Sequence, residues 1–445
     1  MDQGDGVPGP FIGEIMTDTK KLIISAVTKS FIFVLTIAVM TLLLVFTAMI
    51  PKDAIKKNVL KSAEYLAGNE LYPLMVEGVD GSRIDVYADS ILLNIIYSYD
   101  SSKALTSVMR SSYCFEEGQD ENLNLLEAVT LGREPNQQYL RYWHGSAVIV
   151  RPLLTILPIQ KIYVLNAVVI ALLFIWFLVT AKKTGNGLIA AGMILALIMT
   201  RIWYVPLCLE YTWIFLILPV ASVFAIRLAE KKDKDKIIVL FMLVGMITNY
   251  LDFLTAETLT LLIPLIIVMS ILKKHKENAK DIAGISVRAV IVWGLGYTLT
   301  WISKWVLSAL FLGENVMPYI SGHISQRIGQ DLGISIFRYL TGAVFYNFTC
   351  LFPLRHSFGS MIGFGLIIMA VIYFGYVYKK PGCDKKIIIL YAVTGAVPIV
   401  RFLFLHNHSY LHCFFSYRAL AASVMAVVMV IGELTMQRSG GQSDE

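Results

Sequence analysis

The chain has 445 residues, 56% of them hydrophobic and 16% charged, with a net charge of +6. Soluble domains carry about 25% charged residues, so this balance excludes an ordinary soluble globular fold. The positive charge is not a nucleic-acid signal, because the Lys and Arg residues gather in short loops beside apolar runs, as in proteins oriented in a membrane.

Residues 1–30 begin with the acidic, Gly- and Pro-rich MDQGDGVPGP. They lack the basic start of a secretory signal, so the first apolar run, 31–50, is expected to be a retained span. Lys20, Lys21 and Lys29 place its start in the cytoplasm. Pro51 ends it. Residues 51–161 are mixed in composition with an acidic excess, and are expected to form one large extracytoplasmic loop with amphipathic helices.

The bundle proper is expected over 162–434. Its spans are predicted at 162–181, 187–203, 211–228, 237–251, 259–272, 288–312, 361–378, 387–405 and 415–434. A second external segment covers 313–360, and a cytoplasmic tail covers 435–445. The apolar runs are continuous rather than alternating, so they read as helices and not barrel strands. The fold class is an all-α polytopic membrane protein of about ten transmembrane helices with a large first extracytoplasmic loop. It is expected to be multi-pass in the cell membrane with both termini cytoplasmic, because every Lys-rich loop then falls on one side. Residues 338–354 are apolar enough to span, but crossing would move the KKPGCDKK loop to the wrong side. They are read as an interfacial or re-entrant helix.

This orientation leaves plain charged loops inside and collects the unusual polar residues outside. Ionisable groups at membrane depth cost about 2.5–3.5 kcal/mol each, so they pair internally or serve function. Asp85 and Asp89, four apart in RIDVYADSILLN, are suited to a general base or to metal ligation, or to capping a helix. Arg141, Tyr142, Trp143 and His144 form a dense aromatic run, either an interfacial belt or a stacking platform for a sugar or lipid headgroup. Glu210 and Lys304 lie near span ends, where snorkelling is the alternative to function. Asp252 and Glu257 fall in a short turn that needs polar residues in any case.

The segment HNHSYLHCFFSYR carries His406, His408, His412 and Arg418, with Arg401 before it. A His pair four apart suits a divalent metal, but without an HExxH motif phosphate binding is the stronger reading. Arg327, Arg338 and Arg355 add further external charge. The five cysteines are scattered without CxxC spacing and suggest neither a disulfide framework nor a zinc site. The chain has no GxxxxGK[ST] loop, dinucleotide fingerprint or GxSxG elbow. An ATP-driven pump or a transferase using a cytosolic sugar nucleotide is therefore not expected.

The long first loop with an acidic residue, the span number, and the runs RYWHG, DFLT, WISKW and NHSYLHCFFSYR resemble polytopic glycosyltransferases of the GT-C fold, within them a group of bacterial envelope proteins. Asp89 is followed by Ser, so the paired acidic signature of many members is absent. The resemblance implies a polyprenyl-phosphate sugar donor, a glycan or lipid acceptor, and membrane lipid as surroundings, with no nucleic acid and no assigned cofactor. It implies Asp89, with Asp85 as the alternative, as base. Arg141, Tyr142, Trp143, His144, Glu210, Asp252 and Glu257 would hold substrate. Lys304, Arg401, His406, His408, His412 and Arg418 would hold phosphate. The competing reading is a transporter or flippase for a lipid-linked sugar or other anionic envelope precursor, although the one-sided polarity and lack of internal symmetry count against it.

Overall fold

A computed structural model describes residues 10–322, 334–352 and 384–439, together with 361–363, 365, 366, 368, 369, 373 and 376. Arg327, Arg355 and half of the predicted span at 361–378 lie outside the described residues. Every regular element described is helical, apart from the isolated bridges Leu74–Arg83 and Tyr113–Gln137.

A first long helix, α1 (Pro10–Ala48), leads into the loop region. There α2 (Lys52–Ala67), α3 (Val86–Ser98), α4 (Ala104–Arg110), α5 (Glu121–Thr130) and α6 (Ala147–Leu154) follow. The bundle contains α7 (Ile159–Lys183), α8 (Gly187–Met199), α9 (Leu209–Glu230), α10 (Lys234–Leu251), α11 (Leu259–Lys274) and α12 (Ala279–Leu312). Next come α13 (Ile336–Leu351), α14 (Lys385–Phe404), α15 (His406–Leu411), α16 (Cys413–Ser416) and α17 (Ala421–Ser439).

Six helical stretches are long and apolar enough to cross a membrane: Ile23–Ala48, Ile159–Lys183, Leu209–Glu230, Ala279–Leu312, Lys385–Phe404 and Cys413–Leu434. Helices suit that setting because they satisfy their backbone groups within the segment. The chain is an all-α membrane protein. In the most apolar part of α1 only 22% of residues are buried inside the protein, against 72% for α9. Thus α9 is central and α1 peripheral. Outward-facing Ile24, Phe31 and Val34 on α1 remain exposed, as a lipid-facing surface requires.

Some boundaries differ from those predicted. Helix α1 begins at Pro10 rather than 31, and α12 begins at Ala279 rather than 288. The span predicted at 187–203 stops as α-helix at Met199. There Arg201 takes a left-handed φ of 53° and a 3-10 turn, Ile202–Leu207, carries the chain into α9. The segment predicted at 338–354 forms α13, which has 16 residues.

Two local features hold the bundle together. Helix α11 is buried on all sides from Leu259 to Met269, the pattern of a helix enclosed by neighbours. Helices α10 and α12 cross at small residues. A Cβ on Gly245 would sit 2.3 Å from Trp293 O, and one on Gly296 would sit 2.5 Å from Met242 O. Such close backbone approach is a recurrent device of membrane helix pairs.

Three Lys-rich loops, at 182–186, 230–236 and 273–280, meet at one end of the bundle. Lys274 Nζ donates to Thr184 O at 2.7 Å and contacts Glu230 Oε1 at 3.1 Å. Lys234 reaches Glu277 at 3.1 Å, and Lys273 pairs with Glu433. Glu230 ends α9, whereas the unusual polar residues cluster at its beginning. The loop helices pack at that second end. Arg151, fully buried, donates to the carbonyls of Ile50, Ile96 and Tyr99. It thereby caps the C-terminal ends of α1 and α3, where carbonyls lack helical partners and favour a cation.

Candidate functional site

The site begins where α3 meets α9. Asp85 is the N-cap of α3, its Oδ1 accepting from Ala88 N at 2.8 Å. One turn on, Asp89 turns away to α9. Its carboxylate accepts from Leu209 N at 2.9 and 3.0 Å, from Glu210 N at 3.4 Å and from the Tyr163 hydroxyl at 2.5 Å. The sequential N-cap of α9, Cys208, makes no side-chain cap bond. Asp89 therefore caps α9 from 120 residues away, satisfying N–H groups that would otherwise be orphaned and placing an acidic group at the positive end of the helix.

This capping holds Glu210, in the first turn of α9, on the same cavity wall as Asp85. Burial pushes the Asp85 carboxyl up to about 6, with the Ala88 N–H pulling it back. Burial pushes Asp89 up to about 7, with the Tyr163 hydroxyl and the Leu209 N–H opposing. Asp85 and Glu210 line a cavity of 240 Å³, whereas Asp89 is behind its wall and fully enclosed.

Widely separated segments complete the cavity. Helix α3 contributes the stripe Ala88, Ile91, Leu92 and Ile95, one helical face. Tyr72 and Tyr87 add rings stacked at 5.8 Å. From the RYWHG run come Arg141, Tyr142 and His144. The Arg141 guanidinium lies 4.2 Å over the Tyr139 ring and donates to its hydroxyl at 2.7 Å. Tyr142 stacks on Trp301 at 5.6 Å. His144 has a φ of 54°, and the run turns sharply there because Gly145 packs on Tyr250. A Cβ on Gly145 would lie 2.4 Å from that ring.

His144 Nε2 lies 2.9 Å from Tyr139 O, which makes it the protonated nitrogen. Burial pulls the imidazole down to about 3, so it is neutral and its Nδ1 is an acceptor. That Nδ1 is buried with no hydrogen-bond partner. His408 and His412 reach the cavity from the far end of the chain with their rings 4.9 Å apart, and His412 stacks on Phe415.

The remaining predicted residues lie outside the cavity lining. Trp143 donates Nε1 to Thr300 O at 2.7 Å and is buried. Lys304 is fully buried, its ammonium on the carbonyls of Val108 and Met109 at the end of α4, again a cation on helix-terminal carbonyls. Arg401 is paired with Glu257, Nε to Oε1 at 2.7 Å and Nη2 to Oε2 at 2.8 Å. Its Nη2 also donates to Leu254 O at 2.8 Å, and His408 Nε2 donates to the same oxygen at 2.9 Å. Leu254 holds a left-handed φ of 68°, so these contacts clamp a strained turn. Asp252 accepts from Thr255 N at 3.1 Å within that turn. His406 packs on Tyr339, its ring 5.8 Å away. Arg418 stacks 4.4 Å over Tyr211 and 5.1 Å over Tyr417, with Nε and Nη2 buried and unpaired.

Sequence reasoning did not single out Tyr72, Tyr87, Tyr139, Phe253 or Phe415 as lining residues. The helical stripe of α3 was the readable signal for its own wall; the aromatic residues carry no local signal. Among the described residues, no three His, Cys, Asp or Glu side chains group to hold a metal ion. No known protein family, curated protein or solved structure matches the chain.

Proposed function

We propose that the chain is a transferase of the GT-C type that moves a sugar from a polyprenyl-phosphate carrier to a glycan or lipid acceptor on the extracytoplasmic face of the cell membrane. The observation that carries this reading is one cavity holding the Asp85–Glu210 carboxyl pair together with Arg141, His144, His408 and His412. The accompanying topology has about ten spans, with the Lys-rich end and both termini cytoplasmic, as the positive-inside rule requires. The meeting of three Lys-rich loops at the end of α9 away from the cavity supports it.

The residues divide the chemistry. The acceptor hydroxyl attacks the anomeric carbon, its proton passes to the carboxyl pair through Asp85, and the bond from that carbon to the phosphate oxygen breaks. Asp85 replaces Asp89 as base because Asp89 is committed to the N-terminus of α9. A base with a pKa close to the working pH is the efficient kind. Arg141, with His412, stabilises the negative charge that develops on the leaving phosphate. The Nδ1 of His144 accepts from a sugar hydroxyl, and the Tyr faces carry the ring. Arg401 and Lys304 hold the cavity walls in place rather than the phosphate.

The test is transfer by the purified chain in lipid nanodiscs, with a panel of radiolabelled polyprenyl-monophosphate sugars and lipid or glycan acceptors. Product that depends on Asp85 supports the reading. Scrambling of the donor across vesicles without product would favour the flippase.

A further inference from the structure

Two cysteines meet beside the cavity, where α13 packs on the segment that carries the histidines. Cys350, next to last in α13, is 2% exposed, and Cys413, the first residue of α16, is half-buried. Both are thiols, 63 positions apart in the chain, brought near each other where α13 packs on the segment 406–416. Polar contacts on both sides fix this register. Asn347 Nδ2 donates to Ser409 O at 2.9 Å, and Ser416 Oγ donates to Asn347 Oδ1 at 2.8 Å. Arg201 Nη1 donates both to Cys350 O and to the Tyr417 hydroxyl. Cys350 lies one helical turn after Asn347 and Cys413 lies between Ser409 and Ser416, so the bonds of Asn347 to both serines bring the two cysteines to the same junction.

We propose that Cys350 and Cys413 form a disulfide, made by exchange with a protein disulfide oxidant of the extracytoplasmic space. The side on which this happens rests on the orientation proposed above; oxidising conditions outside the cytoplasm let such bonds persist. The more accessible Cys413, as thiolate, attacks the oxidant's disulfide and gives a mixed disulfide. Cys350, losing its proton, then attacks the Cys413 sulfur and expels the oxidant as a dithiol. One S–S bond forms, and the two electrons and two protons leave on the oxidant. The bond staples α13 to α16 beside His412 and Phe415, both of which line the cavity.

The experiment uses the full chain in membranes of an envelope-bearing bacterial host. Unpaired thiols are blocked with N-ethylmaleimide under denaturing conditions, disulfides are reduced, and the released thiols are tagged with a maleimide-polyethylene glycol. The wild type is expected to gain two tags on reduction, and Cys350→Ser or Cys413→Ser none. Peptide mass spectrometry should find the Cys350–Cys413 crosslink. No tags gained by the wild type would overturn the disulfide. The orientation is read separately, from labelling of an exposed Ser101→Cys in the first loop by a membrane-impermeant maleimide on intact cells. Labelling there without tag gain sinks the disulfide alone, whereas absence of labelling there sinks the orientation.

Discussion

Asp85, the N-cap of α3, and Glu210, in the first turn of α9, face one cavity across the junction between the first-loop helix and the central helix. Neither element presents the pair alone; Asp89 brings them together by capping α9. For the proposed transfer the carboxyl pair must be able to take up a proton. Burial pushes Asp85 up to about 6, so kcat/KM is expected to rise with pH through about 6 and level off above it. Because two carboxyls are coupled, the limb belongs to the pair, and Glu210→Gln is expected to displace it. A profile flat from pH 5 to 8 would count against a carboxyl base.

Asp89 is expected to control stability rather than chemistry. Its folded pKa of about 7 lies above the unfolded value of 3.8, so its protonated form favours the folded state. Its contribution is fully present below pH 3.8 and is lost as pH rises through about 7, by up to about 1.4 kcal/mol per pH unit. The melting temperature of wild type relative to Asp89→Asn should therefore fall as pH rises from 5 to 8. Asp89→Ala, which leaves the Leu209 N–H buried without an acceptor, should lose about 1–3 kcal/mol.

The Arg401–Glu257 pair is buried on both sides. Arg401→Met leaves an uncompensated carboxylate and should cost about 3–5 kcal/mol in a detergent melt. Adding Glu257→Gln to that variant should recover part of the loss, because the stranded charge is gone. Equal losses in the single and double variants would mean the pair is not coupled as the geometry requires.

Lys304→Met should behave as a structural change. It removes an ammonium from two carbonyls at the end of α4, which costs about 1.5–3 kcal/mol. Molten material aside, the KM for the lipid-linked donor should stay at the wild-type value. A large rise in that KM with unchanged melting would return Lys304 to the phosphate site.

Much of the fold was legible because apolar runs are local signals: the runs behind α7, α9, α12, α14 and α17 are continuous and flanked by Lys or polar turns. The gathering of polar groups at one end followed from where those Lys residues lie. The separate roles of Asp85 and Asp89 were not legible. Four residues apart, they differ only in that Asp89 meets Leu209, a contact 120 residues away that no local pattern encodes. The contacts of Lys304 were not legible either, since its carbonyl partners lie about 195 residues earlier in the chain. Arg401 and Glu257 were each legible as unusual charges, but their mutual pairing spans 144 residues. In the RYWHG run the aromatic density marked the region, while the alternation of inward Tyr142 and His144 with the differently directed Trp143 depended on the turn at His144 and Gly145.

The most direct test of the account is sugar transfer from a polyprenyl-monophosphate donor by the purified chain, comparing wild type, Asp85→Asn and Asp89→Asn at equal folded concentration. The account predicts product with wild type, a loss of about 10²–10⁴-fold with Asp85→Asn, and transfer largely retained by folded Asp89→Asn. Transfer that survives Asp85→Asn but vanishes with folded Asp89→Asn would contradict it.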